Sequence, residues 1–224
     1  MLELSPIVLS FKLAFLTTLI LFFIAIPISF YLSNSKGSWK AFLESSISLP
    51  LVLPPTVLGF YLLMAFSPEN AIVSFIEDHI GIRLLFSFEG LVIASVIYSL
   101  PFMVHPIQAG LNNLPKHYSE ASFMMGKGKW YTLRKVLLPN IKPALLSGIV
   151  LSFAHTVGEF GLVLMIGGNI KDETRVASIA VYDYVEALDY GSAHLYSLIL
   201  FGITFLILFL LYRINNSYSN RFWI

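Results

Sequence analysis

Residues 7–32 read IVLSFKLAFLTTLILFFIAIPISFYL and decide the fold, because Lys12 is the one charged residue in this long apolar stretch. A helix needs about 20 apolar residues to cross the hydrocarbon core of a bilayer. The stretch is too long for a secretory signal peptide, and it lacks a basic start and a small-residue cleavage site. It is therefore predicted to be a retained transmembrane helix.

The composition of the whole chain agrees with a membrane protein. The 224 residues are 57% hydrophobic and 12% charged, whereas a soluble domain carries about 25% charged residues. Four further apolar windows predict spans at about residues 47–66, 91–110, 141–166 and 195–212. Residues 174–191 are a possible sixth element, which their acidic side chains make a better interfacial or re-entrant helix than a span. We expect an all-α integral membrane protein with about five spans, in a single domain covering residues 1–224.

The distribution of lysine and arginine predicts the orientation in the membrane. Cytoplasmic loops retain positive charge, and three hydrophilic segments are basic. Their basic residues are Lys36, Lys40, Lys116, Lys127, Lys129, Arg134, Lys135, Lys142, Arg213 and Arg221. The opposite loops contain Arg83, Lys171 and Arg175 among many acidic residues. The amino terminus is therefore expected outside and the carboxyl terminus inside, with residues 111–140 as the longest cytoplasmic loop.

That loop carries a spaced pattern of four features. The pattern consists of Glu120-Ala121-Ser122, Gly126, Val136 and Leu138-Pro139. It resembles the EAA loop of ABC importer permeases, in which Glu-Ala-Ala and Gly are followed at fixed spacing by a β-branched residue and Leu-Pro. The spacing matches throughout, and Ser122 in place of the second alanine is the one departure.

The resemblance implies a type I ABC importer permease, whose EAA loop couples the membrane domain to an ATPase. The predicted coupling residues are Glu120, Ala121, Ser122, Gly126, Leu138 and Pro139. The chain has no Gly-x-x-x-x-Gly-Lys-Ser/Thr phosphate loop, so we expect a transport subunit that is not itself an enzyme and needs no cofactor. The expected partners are two copies of an ATP-binding ABC subunit, a second copy of this chain, a periplasmic or lipoprotein oxyanion-binding protein, and membrane lipid, but no nucleic acid. The expected location is the inner membrane of a prokaryote.

The residues of the loop also predict local structure. Ser119 is expected to cap a short helix whose first turn contains Glu120, and Gly126 is expected to turn the chain. Trp130, Leu133 and Leu137 form an apolar stripe on a second short helix, which Pro139 would end. The alternative for this segment is a plain amphipathic helix lying on lipid headgroups.

Two further stretches resemble those of oxyanion permeases. Residues 49–61, LPLVLPPTVLGFY, look like the second-helix motif of molybdate permeases. Residues 158–161, GEFG, together with 165–170, MIGGNI, resemble a segment of molybdate permeases and, more loosely, of sulfate and tungstate permeases. The implied cargo is molybdate, with sulfate or tungstate as alternatives. The implied pathway or gate residues are Pro54, Pro55, Gly158, Glu159, Phe160 and Gly161.

Glu159 is a carboxyl group within a predicted span, where charged side chains are rare and usually functional. Because a negative charge would repel an oxyanion, we expect Glu159 to pair with a donor such as His155 or to hold a helix break. A structural, hydrogen-bonded glutamate is an equal alternative. Lys12 is a weak candidate for the pathway, so selectivity is expected to lie in the external binding protein.

Residues 182–186, YDYVE, with the loop 67–87, are predicted to dock that binding protein, because they face outward and mix aromatic and charged side chains. A solvated cap over the pathway is the alternative. Remote alternatives for the whole protein are an integral membrane enzyme or scaffold. The five histidines lie in different segments and form no local metal-ligand motif, and the chain contains no cysteine.

Overall fold

The computed structural model of the protein describes residues 3–219, which form twelve α-helices and one π-helical turn, with no strand in that range. The helices are α1 (Ser5–Asn34), α2 (Ser38–Val52), α3 (Pro55–Ala65), α4 (Ala71–Ile80), α5 (Phe88–Asn113), α6 (His117–Met124), α7 (Lys129–Thr132), α8 (Leu138–Asn140), α9 (Lys142–Val157), α10 (Gly161–Gly167), α11 (Ala177–Glu186) and α12 (Tyr190–Ser219). The π turn, Leu133–Leu137, joins α7 to α8.

Three helices, α1, α5 and α12, are each long and apolar enough to cross a membrane. Two bent helix pairs raise the number of candidate spans to as many as five, in agreement with the predicted all-α architecture of about five spans. The possible sixth element is α11, whose 10 residues are too few to span a bilayer. Its apolar face packs against α1 and α12.

The centre of the bundle is formed by α1, α5 and α9. Small residues allow these helices to approach closely, which is the usual way that membrane helices associate. A Cβ added at Gly148 of α9 would lie 3.0 Å from the Met103 sulfur of α5. A Cβ added at Gly110 of α5 would lie 2.6 Å from the Ala144 Cβ of α9. Glycine at both positions therefore fixes the distance between α5 and α9.

The predicted second span, residues 47–66, is sharply bent rather than straight. Helices α2 and α3 meet at 113° across Leu53 and Pro54, both of which have extended backbone. Two causes act together: Pro54 and Pro55 lack the N–H groups that would continue the helix, and a residue before proline is pushed out of the helical region. The proline-rich segment thus makes a break between two half-helices.

The predicted fourth span, residues 141–166, is also divided. Helix α9 ends at Val157, and α10 begins at Gly161 after a short non-helical segment. Gly158 has φ −88°, a value that any residue adopts, whereas Phe160 at φ −130°, ψ −69° leaves the helical region. The break therefore does not depend on the conformational freedom of Gly158.

Candidate translocation and coupling sites

The two helix breaks meet in the folded chain. The first turn of α10 lies against the first turn of α3, and a Cβ added at Gly161 would lie 3.3 Å from the Pro55 Cβ and 3.5 Å from the Thr56 Cγ2. Further along the same pair of helices, a Cβ added at Gly59 would lie 3.0 Å from the Met165 sulfur. Glycine on each helix therefore permits a close contact, which we call the half-helix junction. Discontinuous helices of this kind line substrate sites in several transporter folds.

The predicted pathway residues fall into two groups around this junction. Pro55 and Gly161 belong to it directly, and Pro54 is the cap residue immediately before α3. Gly158 is exposed, and Phe160 is half-buried with its ring centroid 4.9 Å from that of Tyr182 on α11. Glu159 points the other way, into the contact with α5.

Glu159 is buried and is held by hydroxyl groups of neighbouring helices. Ser95 Oγ donates a hydrogen bond to Oε2 at 2.5 Å, and Ser99 Oγ donates to Oε1 at 3.1 Å. Ser99 also contacts the Thr156 hydroxyl at 2.9 Å. The main-chain carbonyl of Glu159 accepts a hydrogen bond from Ser178 Oγ of α11 at 2.5 Å. One residue thus connects the α9–α10 break to both α5 and α11.

The expected partner of Glu159, His155, is close but forms no direct hydrogen bond to it. Its Nε2 lies 3.9 Å from Oε1 of Glu159. The imidazole ring instead stacks on Phe102 and lies near Tyr98, with centroid distances of 4.0 Å and 4.7 Å. The hydroxyl donors on α5 therefore take the place that the sequence pattern gave to His155.

Lys12 contacts the start of α5. Its side chain is exposed, and its ammonium group is 4.4 Å from the centroid of the Phe88 ring at the start of α5. This cation–π contact accounts for the one charge within α1. His105 is an interface residue, as its Nε2 lies 3.0 Å from the Ser48 hydroxyl of α2.

The predicted coupling segment is a compact helical unit. Helix α6 carries Glu120 in its first turn, as expected, but Ser119 is wrong as the cap. Lys116 occupies the cap position, and Ser119 lies inside the helix with its hydroxyl donating to the Lys116 carbonyl at 2.8 Å. The hydroxyl of Ser119 therefore donates to a carbonyl, whereas a capping serine accepts a hydrogen bond from a free N–H group at the helix start.

Gly126 and Ser122 shape the turn between α6 and α7. Gly126 has φ +72°, in the left-handed region that favours glycine, so the expected turn is present. Ser122 is buried, and its hydroxyl lies 2.8 Å from that of Thr132. It faces its own loop rather than an outer surface, whereas Ala121 is exposed. Of the two small residues that follow Glu120, only Ala121 is therefore exposed for contact with another surface.

The apolar stripe of the second short helix anchors the coupling segment to the bundle. Leu133 is fully buried in a cluster with Leu21 of α1 and Ile107 of α5. Leu137 and Leu138 are half-buried against the same cluster. The chain then turns by 81° between Asn140 and Lys142 to enter α9. Movement of this segment is therefore connected directly to α1, α5 and α9.

The π turn at residues 133–137 has a local cause in the next proline. Pro139 has no N–H, so the Lys135 carbonyl cannot receive the regular hydrogen bond from four residues further on. The Leu138 N–H bonds the Leu133 carbonyl, five residues earlier, and forms the wider turn. Such π turns are frequent at functional sites. Sequence patterns for α-helices do not signal such a turn.

Several residues of both sites gave no signal in the sequence. The hydroxyl groups of Ser95, Ser99 and Ser178 come from helices distant from Glu159 in the chain. Ser95 and Ser99 are four residues apart and share one face of α5, but nothing in the sequence pairs that face with Glu159. The contact of Thr132 with Ser122 likewise depends on how the loop folds. Within residues 3–219, no group of three His, Asp or Glu side chains is arranged to hold a metal ion.

The family of the chain follows from comparison with known proteins. Residues 25–222 match the family described as binding-protein-dependent transport system inner membrane component. The chain belongs to this family, and it is a multi-pass inner-membrane permease of a transport system. The family assignment confirms the resemblance carried by the EAA-type loop.

Relatives of known name refine this class. The chain is 42% identical to the molybdenum transport system permease protein of Azotobacter vinelandii, over 94% of this chain and 93% of that protein. It is 30% identical to the sulfate transport system permease protein of Escherichia coli (strain K12), over 85% of this chain and 68% of that protein. The fold is similar to that of a bacterial ABC transporter involved in the import of the acidic polysaccharide alginate, with a TM-score of 0.78 and 16% identity, covering 96% of this chain and 79% of the other. The type I ABC importer fold is therefore confirmed.

Proposed function

We propose that the chain is the permease subunit of an ATP-driven importer that moves molybdate from an external binding protein into the cytoplasm. The observation that carries the proposal is the 42% identity to a molybdenum permease over nearly the full length of both chains. The sulfate permease is more distant in identity and in coverage. Sulfate and tungstate remain the alternative cargoes, because all three are tetrahedral dianions.

The half-helix junction is proposed as part of the translocation pathway or gate. Both breaks lie in segments that resemble molybdate permeases, and Gly161 and Pro55 bring them into contact. Glu159 is assigned a positioning role, because its side chain is turned into α5 and hydrogen-bonded to Ser95 and Ser99. It holds the α9–α10 break in place without presenting a carboxylate to the anion.

Residues 119–139 are proposed to couple this gate to a partner ATPase. The coupling segment has one face buried in the bundle through Leu133 and another face exposed at Met124 and Met125. A rigid body with one anchored face and one free apolar face can transmit the movement of a partner to the spans. Import needs such coupling, because an inside-negative membrane potential opposes the entry of an anion. At −100 mV the free-energy cost is about 2.3 kcal/mol per charge, or about 4.6 kcal/mol for a dianion.

The proposed assembly contains two permease chains and two ATPase subunits. Each chain supplies one coupling segment, so two ATPases require two permease chains. Measurement of the intact complex by mass in detergent tests this composition. A complex with one permease chain for two ATPases would contradict it.

Cargo identity is tested by ATP hydrolysis in the reconstituted complex. The partner binding protein is loaded in turn with molybdate, tungstate and sulfate, and the stimulation of ATP hydrolysis is recorded at matched protein concentrations. We expect the strongest stimulation with molybdate. Equal or stronger stimulation with sulfate would replace molybdate by sulfate as the cargo, and the absence of any stimulation would contradict the importer itself.

A further inference from the structure

A cavity of about 770 Å³ separates the coupling segment from the membrane helices. It is bounded by the last turns of α1 and α5 and by α6 and α7. Its volume falls in the range of about 300 to 1,000 Å³ that is typical of ligand sites. By the predicted orientation, it opens at the cytoplasmic edge of the bilayer, where α1 and α5 leave the membrane.

One wall of the cavity is apolar and aromatic. Phe30 and Tyr31 line it from α1, Leu111 from α5, and Trp130 from α7. The rings of Phe30 and Trp130 lie 6.5 Å apart between centroids, and the Tyr31 and Trp130 side chains are more than half exposed. Tryptophan and tyrosine are the residues that accumulate at the boundary between hydrocarbon and headgroups.

The cavity also has a basic rim. Lys116 and Lys129 line it, and neither forms an ion pair with an acidic side chain in the described part of the chain. Glu120 also lines the cavity, so two ammonium groups face one carboxylate.

Two carbonyl oxygens near the end of α1 accept side-chain hydrogen bonds beside this rim. The Phe30 carbonyl accepts hydrogen bonds from Ser33 at 2.9 Å and Asn34 at 2.8 Å, and the Tyr31 carbonyl accepts one from Ser35 at 2.7 Å. These bonds reduce the negative character of the helix end near the lysines.

We propose that this cavity binds an anionic phospholipid of the cytoplasmic leaflet, with its phosphate at Lys116 and Lys129 and the start of an acyl chain against Phe30 and Trp130. The amphipathic lining favours a lipid over a soluble anion, because a soluble anion leaves the aromatic wall exposed to water. Basic pockets between membrane helices on the cytoplasmic side are typical sites for acidic headgroups. The bound lipid would fill the space between the coupling segment and the bundle, and its binding does not depend on which anion is transported.

Trp130 provides a direct probe of the site. In the full-length chain carrying Trp39→Phe and Trp223→Phe, Trp130 is the remaining tryptophan. This protein is placed in nanodiscs containing a small fraction of brominated phosphatidylglycerol or brominated phosphatidylcholine with identical chains, and quenching of Trp130 fluorescence is measured. We expect the phosphatidylglycerol to quench at a much lower fraction of the total lipid.

A matched pair of double variants separates the cavity from general surface charge. Lys116→Gln with Lys129→Gln removes both lysines of the rim, and we expect the preference for phosphatidylglycerol to fall by about fivefold per lysine. Lys127→Gln with Lys135→Gln removes the same charge from the same loop outside the cavity lining, and we expect the preference to stay within twofold of the parent.

Three results would overturn the proposal. They are equal quenching by the two lipids in the parent, an equal loss of preference in both double variants, and suppression of the quenching by millimolar phosphate or molybdate. The last result would assign the rim to a soluble anion. Because the assay contains neither ATPase nor cargo, these results are distinct from a failure of the transport function.

Discussion

Gly161 allows α10 to lie against the first turn of α3, so a larger side chain there should force the two half-helices apart. A Cβ at this position would be 3.3 Å from the Pro55 Cβ, 3.5 Å from the Thr56 Cγ2 and 3.7 Å from the Thr56 nitrogen. Carbon atoms in contact prefer about 3.5 to 4.0 Å. Alanine thus requires a shift of a few tenths of an ångström, whereas valine adds two methyl groups to a contact that is already tight.

The expected magnitudes follow from this geometry. Gly161→Ala should be tolerated, with uptake at least half that of the parent. Gly161→Val should cost about 1 to 3 kcal/mol by overpacking, which corresponds to about a 5- to 150-fold change in the population of the native junction. Gly202→Val is the control, because no atom lies within 4 Å of a Cβ added at exposed Gly202 of α12.

The assay is anion uptake into vesicles that contain the complete transporter, corrected for the amount of permease inserted. Thr56→Ser, which removes the Cγ2 atom, should partly restore uptake by Gly161→Val, because it relieves one of the two close carbon contacts. Uptake by Gly161→Val at the level of Gly202→Val would refute the role given to the half-helix junction.

Three other variants test the remaining contacts. Gly126→Val should cost about 1 to 2 kcal/mol because of the positive φ, and Glu120→Lys alters the exposed face of α6. Both variants should insert in the membrane yet lose the stimulation of ATP hydrolysis by loaded binding protein. The control Gly128→Val should keep this stimulation, because Gly128 has φ −75° and open space around it. Glu159→Ala should lower stability and uptake because it leaves the buried Ser95 hydroxyl without its acceptor, at about 1 to 3 kcal/mol, while Ser99 keeps its contact with Thr156. Glu159→Gln retains one acceptor and should be milder. Equal thermal stability of both variants and the parent would remove the positioning role. Asp183→Lys should weaken binding-protein affinity more than Glu186→Lys, because Asp183 pairs with Arg175 at 3.0 Å and with Asn169, and unchanged affinity in both would remove the predicted docking face.

The broad architecture could be predicted because its signals are local. Long apolar windows gave α1, α5 and α12 to within a few residues, apart from the extended end of α12. The proline run correctly indicated a disturbed second helix, but a 113° bend depends on what α3 packs against. That partner is α10, which is about a hundred residues away in the chain, and no pattern within residues 47–66 encodes it.

The folded structure of the two candidate sites was only partly predictable. The spacing of the EAA-type loop is the basis for proposing residues 119–139 as the coupling segment, and the apolar stripe placed Leu133 correctly on the buried face of that segment. The expectation that His155 pairs with Glu159 rested on helical spacing, which does bring the two side chains to 3.9 Å, but the His155 ring stacks on Phe102 and forms no hydrogen bond to the carboxyl group. The actual donors, Ser95 and Ser99, are positioned by the packing of α5 against α9, which only the three-dimensional structure provides.

ATP-driven uptake of labelled molybdate tests the central claim most directly. The permease, its partner ATPase and the loaded binding protein are reconstituted in vesicles, and the label retained inside is followed with ATP and with a non-hydrolysable analogue. The account predicts accumulation of molybdate only with hydrolysable ATP, and at least tenfold less accumulation of sulfate under the same conditions. Accumulation that is independent of ATP, or sulfate uptake equal to that of molybdate, would contradict it.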